Sequence, residues 1–173
     1  MTALPDKIKH QLQSIKNSDI EEFTLKDVTT YGKLVDIYDG DTCKLVLHVH
    51  NGLQKFNCRL MGLDTPEMKP LKSKEGREAE IAKAHQCRNR VIQLATNCPC
   101  VLTDLLKKPE CKKLLDQNTT LVKVKCHEFD KYGRLLVTIF PINGEKSVND
   151  LLISEGMAYA YDGGTKQKID YKK

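Results

Sequence analysis

Alternating apolar and polar residues predict that much of this chain forms short β-strands. In the segment Leu53–Met61, the side chains of Phe56, Cys58 and Leu60 fall on one face. Successive side chains of a strand point to opposite sides. Arg59 should therefore point away from the core and be available to a ligand.

The same alternation predicts further strands on either side of this segment. The Asn51-Gly52 pair before it is the strongest short hairpin signal in the chain. A second turn is predicted at Asp39-Gly40-Asp41, where Gly40 is free to take a positive φ. The predicted strands are Tyr31–Tyr38, Cys43–Val49, Leu53–Met61, Val101–Leu106, Leu121–Cys126 and Arg134–Phe140.

Apolar residues spaced three and four apart predict two helices. The first begins at Ser73 or a neighbour and ends at Asn97-Cys98-Pro99. The second begins after Ser147, the predicted N-cap, and ends at Gly156. The apolar stripe of the first helix comprises Ala84, Cys87, Val91, Leu94 and Ala95.

This order of elements predicts an α+β fold that is mainly β: a small five-stranded OB-type barrel with two or three helices packed on it. Residues 29–165 are predicted to form that domain. Residues 1–28 form an N-terminal extension, partly helical because Lys7–Lys16 has a weak helical pattern, and residues 166–173 form a polar tail. The polar stretch Lys107–Thr119 is predicted to be a surface insertion.

Composition narrows the class of protein without deciding its function. The net charge of +5 and the pI near 8.7 permit a nucleic-acid partner. The seven cysteines form no regular framework, which predicts reduced thiols, an intracellular protein and no disulfide-linked partner. No apolar run is long enough for a membrane span, so no membrane partner is expected.

Carboxylates and one backbone carbonyl at predicted strand ends have the chemistry of a hard-cation site. Asp41 and Asp64, with the carbonyl of Thr65, supply the oxygen ligands that Ca²⁺ and Mg²⁺ prefer. Glu67 follows Asp64 at a spacing of three and is placed to act as a general base on water.

Two arginines complete this set of charged residues. Arg59 lies in a predicted strand, and Arg134 follows the turn Asp130-Lys131-Tyr132-Gly133. A guanidinium group matches two phosphate oxygens in plane. Together with a cation and a general base, these groups are the parts of a metal-assisted phosphodiester hydrolase.

In these motifs and their spacings, the chain resembles the staphylococcal nuclease (thermonuclease) family over about residues 31–162. The matching segments are Asp39-Gly40-Asp41-Thr42, Arg59 with Asp64-Thr65-Pro66-Glu67, Asp130-Lys131-Tyr132-Gly133-Arg134, Val148-Asn149 and Gly156-Met157-Ala158.

The resemblance implies an OB-type barrel that binds one Ca²⁺ ion and hydrolyses DNA, RNA or both to 3′-phosphate ends. It implies that Asp41, Asp64 and the Thr65 carbonyl hold the metal. Asp39 is implied to lie next to these ligands without binding the metal itself. It further implies catalytic roles for Glu67, as general base, and for Arg59 and Arg134, on the phosphate. The implied substrate contacts are Lys131, Tyr132 and Tyr161, the last chosen over the neighbouring Tyr159 as a base-stacking residue.

Other functions remain open from the sequence. Barrels of this type also occur as binding modules without catalysis. A third possibility is a metal-storing protein that uses cysteine and histidine, such as Cys98 and Cys100 with Cys111 or Cys126, or the pair His48 and His50. A monomer is expected, and a dimer through the N-terminal extension is an alternative.

Overall fold

The computed structural model describes residues 4–118, 120–167 and 169. Four α-helices, a short 3₁₀ helix and seven strands occur in this part of the chain. In order they are α1 (Asp6–Ser14), the 3₁₀ helix (Asn17–Asp19), β1 (Thr29–Ile37), β2 (Thr42–Val49), β3 (Gly52–Leu60), β4 (Leu63–Asp64), α2 (Arg77–Thr96), α3 (Lys108–Gln117), β5 (Val122–Phe129), β6 (Leu135–Pro141), α4 (Val148–Ser154) and β7 (Tyr159–Ala160).

Five strands close into a barrel in the order β1-β2-β3-β6-β5, which confirms the predicted OB-type architecture. Neighbouring strands are antiparallel except β3 and β6, whose parallel pairing places Arg59 opposite Leu136 and closes the barrel. The β2–β3 hairpin turns at His50 and Asn51, which both have positive φ values. The short strands β4 and β7 form a separate pair.

An aliphatic core fills the barrel and continues under α2. Of the predicted stripe of α2, Ala84, Cys87, Val91 and Ala95 are buried, while Leu94 is half-buried. The helix begins at Arg77 rather than near Ser73. All seven cysteines are free thiols and buried.

The stretch predicted as a surface insertion, Lys107–Thr119, is instead largely the helix α3, and α3 packs against β1. Cys111 and Leu115 lie one turn apart and are fully buried. Pro109, which suggested a loop, lies in the first turn of the helix, where its missing N–H costs nothing.

The strand predicted over Val101–Leu106 is also wrong. Its backbone carbonyls are satisfied by a side chain instead of a neighbouring strand. The amide nitrogen of buried Asn89 donates to the carbonyls of Val101 (3.0 Å), Leu102 (3.1 Å) and Asp104 (2.8 Å). A tertiary contact therefore overrides the local β-propensity.

The N-terminal extension contains α1, which has no buried residue. The extension contacts the barrel further along the chain, where Leu25 is buried and the Phe23 ring lies 6.3 Å from the Phe129 ring. None of the helices in the described part of the chain combines the length and apolar character that crossing a membrane requires.

Candidate active site

The turn between β1 and β2 is fixed by its own carboxylate and by contact with α2. Asp39 Oδ1 accepts hydrogen bonds from the backbone N–H groups of Asp41 (3.1 Å) and Thr42 (2.8 Å). Gly40 does not adopt a positive φ, contrary to expectation. A glycine is needed there because a Cβ atom would clash with the Sγ of Cys87.

Arg59 joins two of the predicted metal ligands. Its Nη1 lies 2.7 Å from Asp41 Oδ1, and its Nη2 lies 2.9 Å from Asp64 Oδ1. Both carboxylates are buried, and β3 delivers the guanidinium group from the side facing away from the core, as predicted. Asp41 and Asp64 therefore converge on one cationic group.

The pKa values of Asp64 and Asp39 follow from burial and from their neighbours. Burial raises the pKa of Asp64, but hydrogen bonds from Tyr159, Arg59 and Lys166 outweigh it and lower the pKa overall. Burial and the nearby charge of Asp41 raise the pKa of Asp39 to about 7. The pKa values of two buried carboxyl groups of this site are thus shifted in opposite directions: Asp64 accepts from side chains that include two cations, whereas Asp39 accepts from backbone N–H groups and lies beside the charge of Asp41.

Tyr159 belongs to the site in a way that the sequence did not predict. Its hydroxyl donates a 2.5 Å hydrogen bond to Asp64 Oδ2, because β7 pairs with β4 and places the two residues opposite each other. Tyr161, the predicted base-stacking residue, donates its hydroxyl to the carbonyl of Gly164 (2.9 Å). No pattern in the sequence indicates a pairing between two strands as short as these.

Lys166 is a second unexpected member of the site. Its Nζ lies 2.7 Å from Glu67 Oε1 and 3.2 Å from Asp64 Oδ1. The sequence predicts only that this residue begins a polar tail. The segment after β7 instead returns over the barrel and places an ammonium group between the predicted base and a predicted metal ligand.

The backbone of Glu67 is held by α2. Its N–H donates to Oε1 of Glu80 (3.3 Å), which is buried, and Lys74 Nζ lies 2.6 Å from Glu80 Oε2. The Glu67 side chain itself is 49% exposed. The carboxylate can therefore reach solvent while its backbone stays fixed.

The β5–β6 turn presents the second arginine. Asp130 Oδ1 accepts from the N–H groups of Tyr132 and Arg134, both at 2.9 Å, and Asp130 Oδ2 accepts from Arg134 Nε at 2.8 Å. The Tyr132 ring is 73% exposed and has Lys131 Nζ 5.2 Å from its centroid. The turn thus displays an oriented guanidinium group beside an aromatic surface.

These elements surround one cleft of about 1220 Å³. Asp64 lines an adjoining cavity of about 420 Å³, and Thr65, Glu67 and Lys166 line both. The other predicted site residues all line the larger cleft: Asp39, Asp41, Arg59, Thr65, Glu67, Lys131, Tyr132, Arg134 and Tyr161.

The histidine and cysteine alternatives find no support in the geometry. Among the described residues, no three or more His, Cys, Asp or Glu side chains are grouped so that they could hold a metal ion. His50 lies in the turn after β2, so it does not share a strand face with His48. The predicted calcium site uses two carboxylates and a backbone carbonyl, so it is not a group of that kind.

The fold and site define an OB-type barrel with a charged cleft at its strand ends. Residues 107–173 match the family model described as Staphylococcal nuclease homologue, which confirms the family resemblance for this part of the chain. The matched part includes Arg134, Tyr159 and Lys166, whereas Asp41 and Glu67 precede it. The comparison with curated proteins gave no match.

Proposed function

We propose that this protein is a metal-dependent nuclease that hydrolyses the phosphodiester backbone of DNA, RNA or both, with one Ca²⁺ ion and with 3′-phosphate products. The observation that carries the proposal is the convergence of Asp41 and Asp64 on Arg59 (2.7 and 2.9 Å), at one end of a cleft that also contains Glu67 and Arg134.

The donor set fits a hard cation. Two buried carboxylates that reach the same guanidinium group are close enough to share a positive charge, and carboxylate and carbonyl oxygens are ligands that Ca²⁺ accepts. Asp41, Asp64 and the Thr65 carbonyl would hold the ion. When bound there, calcium would neutralise the charge on the phosphate.

Glu67 is the proposed general base. Its half-exposed carboxylate lines the cleft and can accept a proton from a water molecule. The water oxygen then forms a bond to phosphorus while the bond from phosphorus to the 5′ oxygen breaks. The leaving oxygen takes up a proton, and the phosphate remains on the 3′ side.

The two arginines are the proposed phosphate ligands. Arg134 uses Nε to bind Asp130, and its two terminal nitrogens have no hydrogen-bond partner within the described residues. That leaves one edge of a planar group for phosphate oxygens. Arg59 must exchange at least one carboxylate contact for the phosphate, because its two terminal nitrogens are bound to Asp41 and Asp64.

The substrate strand is proposed to contact residues at the rim of the cleft. The exposed Tyr132 ring offers a face on which a base can stack, and Lys131 beside it offers a charge for a phosphate. Tyr161 lines the cleft on the loop that leads to Lys166.

A binding module without catalysis is the second candidate, and one observation favours it. Arg59 and Lys166 already neutralise Asp41, Asp64 and Glu67 from within the chain. If Arg59 and Lys166 keep these contacts, no metal ion binds to Asp41 and Asp64, and Glu67 remains paired with Lys166 and cannot act as a base.

Digestion of end-labelled single-stranded and duplex DNA and RNA separates the two candidates. The proposed nuclease cleaves in calcium, stops in EDTA, and leaves ends that accept a new 5′-phosphate label but block 3′ extension until a phosphatase is added. Tight binding of the same substrates with no cleavage in calcium, magnesium or manganese would refute it in favour of the binding module.

A further inference from the structure

Positive charge is concentrated on the outer wall of the barrel. The strands carry five lysines that form no ion pair in the described structure. Of the two acidic residues in these strands, Asp36 is buried and Glu128 is paired with Lys26 at 2.8 Å. The five lysines are Lys33, Lys44, Lys55, Lys123 and Lys125.

An aromatic and basic row crosses three adjacent strands of this wall. Strand register places Tyr31 of β1 beside Lys123 of β5, and Lys123 beside Phe140 of β6. Lys123 Nζ lies 5.0 Å from the centroid of the Phe140 ring. Tyr31 is 57% exposed, so its ring is open to a ligand.

A second row connects the first to the cleft. Thr29, Lys125 and Thr138 are cross-strand partners on the same outward face. Two residues before Thr138 on β6 lies Leu136, which lines the cleft. From Leu136 to Phe140 the strand advances roughly 13 Å at about 3.3 Å per residue.

We propose that this surface, the basic stripe (Tyr31, Lys123, Lys125, Thr138 and Phe140), binds the part of a single-stranded nucleic acid that extends beyond the cleft. Unpaired lysines attract phosphates, and aromatic side chains between them accept unstacked bases without regard to sequence. The stripe begins at the cleft wall, so one strand can occupy both. The inference rests on the proposed function for the cleft. It adds a class of substrate, namely single-stranded nucleic acids that are longer than the cleft can hold.

The test measures binding without cleavage. Fluorescein-labelled dT4 and dT16 are titrated in EDTA with the wild-type chain, with the double variant Lys123→Gln/Lys125→Gln, and with the control Lys83→Gln/Lys113→Gln. The control removes the same charge from exposed positions on α2 and α3. Anisotropy is recorded over a range of salt concentrations, and circular dichroism checks that each variant folds.

The stripe variant should bind dT16 several-fold more weakly, and its log–log salt dependence should be less steep by about 1.4, or about 0.7 for each lost phosphate contact. Its affinity for dT4 should not change. Tyr31→Ser should weaken dT16 binding at least about fivefold, as loss of one base–aromatic stack does. Equal losses of dT16 affinity in the stripe and control variants would overturn the proposal. Displacement of dT16 from the stripe by polyglutamate at equal charge concentration would also overturn it.

The outcome is separable from that of the cleavage assay. If the chain cleaves nucleic acid but the stripe variant binds dT16 like the wild type, the stripe inference fails and the proposed nuclease stands. If the chain cleaves nothing but its binding of dT16 depends on Lys123 and Lys125, the stripe stands and the proposed reaction fails.

Discussion

The ammonium group of Lys166 lies 2.7 Å from Oε1 of Glu67, so the proposed base is ion-paired within the chain. Lys166 also lies 3.2 Å from Asp64, a proposed metal ligand. An internal cation at this position would compete with the proposed calcium ion. Lys166→Met should therefore bind calcium about two- to fivefold more tightly, as expected for loss of a half-exposed ion pair. Isothermal titration calorimetry measures this directly.

Lys72→Met is the matched control for that variant, since Lys72 is an exposed lysine on the loop before α2 with no ion pair in the described structure. It should leave the calcium affinity unchanged. Calcium binding by Lys166→Met that is equal to or weaker than that of the wild type would mean that Lys166 does not compete with the metal.

Glu67→Gln should lower the turnover number by about two to four orders of magnitude, the usual contribution of a general base. The side chain is half-exposed and its backbone is held by Glu80, so the thermal midpoint should barely move. Single-turnover cleavage and a thermal melt test both parts. Near-normal cleavage by this variant would remove Glu67 from the mechanism.

Arg134→Ala should also abolish cleavage while leaving the barrel folded. Its side chain is partly exposed, and its interaction with Asp130 lies in one turn. Arg134→Lys should recover little activity, because a lysine cannot present two parallel donors. If the lysine variant cleaves as fast as the wild type, a planar phosphate contact at this position is not required.

Asn149→Ala should destabilise the fold by about 3 kcal/mol, because it leaves buried backbone groups unpaired. The Asn149 amide nitrogen donates to the carbonyls of Met61 (2.9 Å) and Val137 (3.1 Å), and its oxygen accepts from the N–H of Ile139. Urea denaturation measures the loss in the free energy of unfolding. The exposed Asn57→Ala serves as the control and should change stability by less than about 0.5 kcal/mol.

Glu155→Gln should reduce stability in a pH-dependent way. The hydrogen bond and charge of Arg90 lower the pKa of Glu155 in the folded state below its ordinary value of 4.5. The pair, at 2.7 and 2.8 Å, links α2 to α4. Its contribution, about 1 kcal/mol, is therefore complete at pH 7 and is lost as the pH falls through the folded pKa.

Urea midpoints of Glu155→Gln and the wild type should thus differ at pH 7 and converge as the pH is lowered and Glu155 of the folded wild type becomes protonated. A difference that stays the same over the whole acid titration would mean that charge is not its cause.

The barrel was predictable because apolar and polar residues alternate within its strands. Phe56, Cys58 and Leu60 alternate with polar residues, so local sequence decided which way Arg59 points. The helix α3 was missed since its buried face is only Cys111 and Leu115, set among lysines and a proline.

The site was only partly predictable for a related reason. Motifs identify Asp41, Asp64 and Glu67 through neighbouring residues in the chain. Tyr159 and Lys166 both contact Asp64 from a distant segment, Lys166 also contacts Glu67, and only tertiary structure brings them there.

The parallel pairing of β3 with β6 has a consequence for the order of events during synthesis. Asp41, Arg59 and Glu67 emerge early, but Arg134 comes far later. It directly precedes β6, the strand that pairs with β3 in the closed barrel. Contacts between distant segments form late in folding because closing a long loop costs entropy. An unfinished chain therefore carries the acidic half of the cleft without its opposite wall, and any activity begins only when the whole barrel has closed.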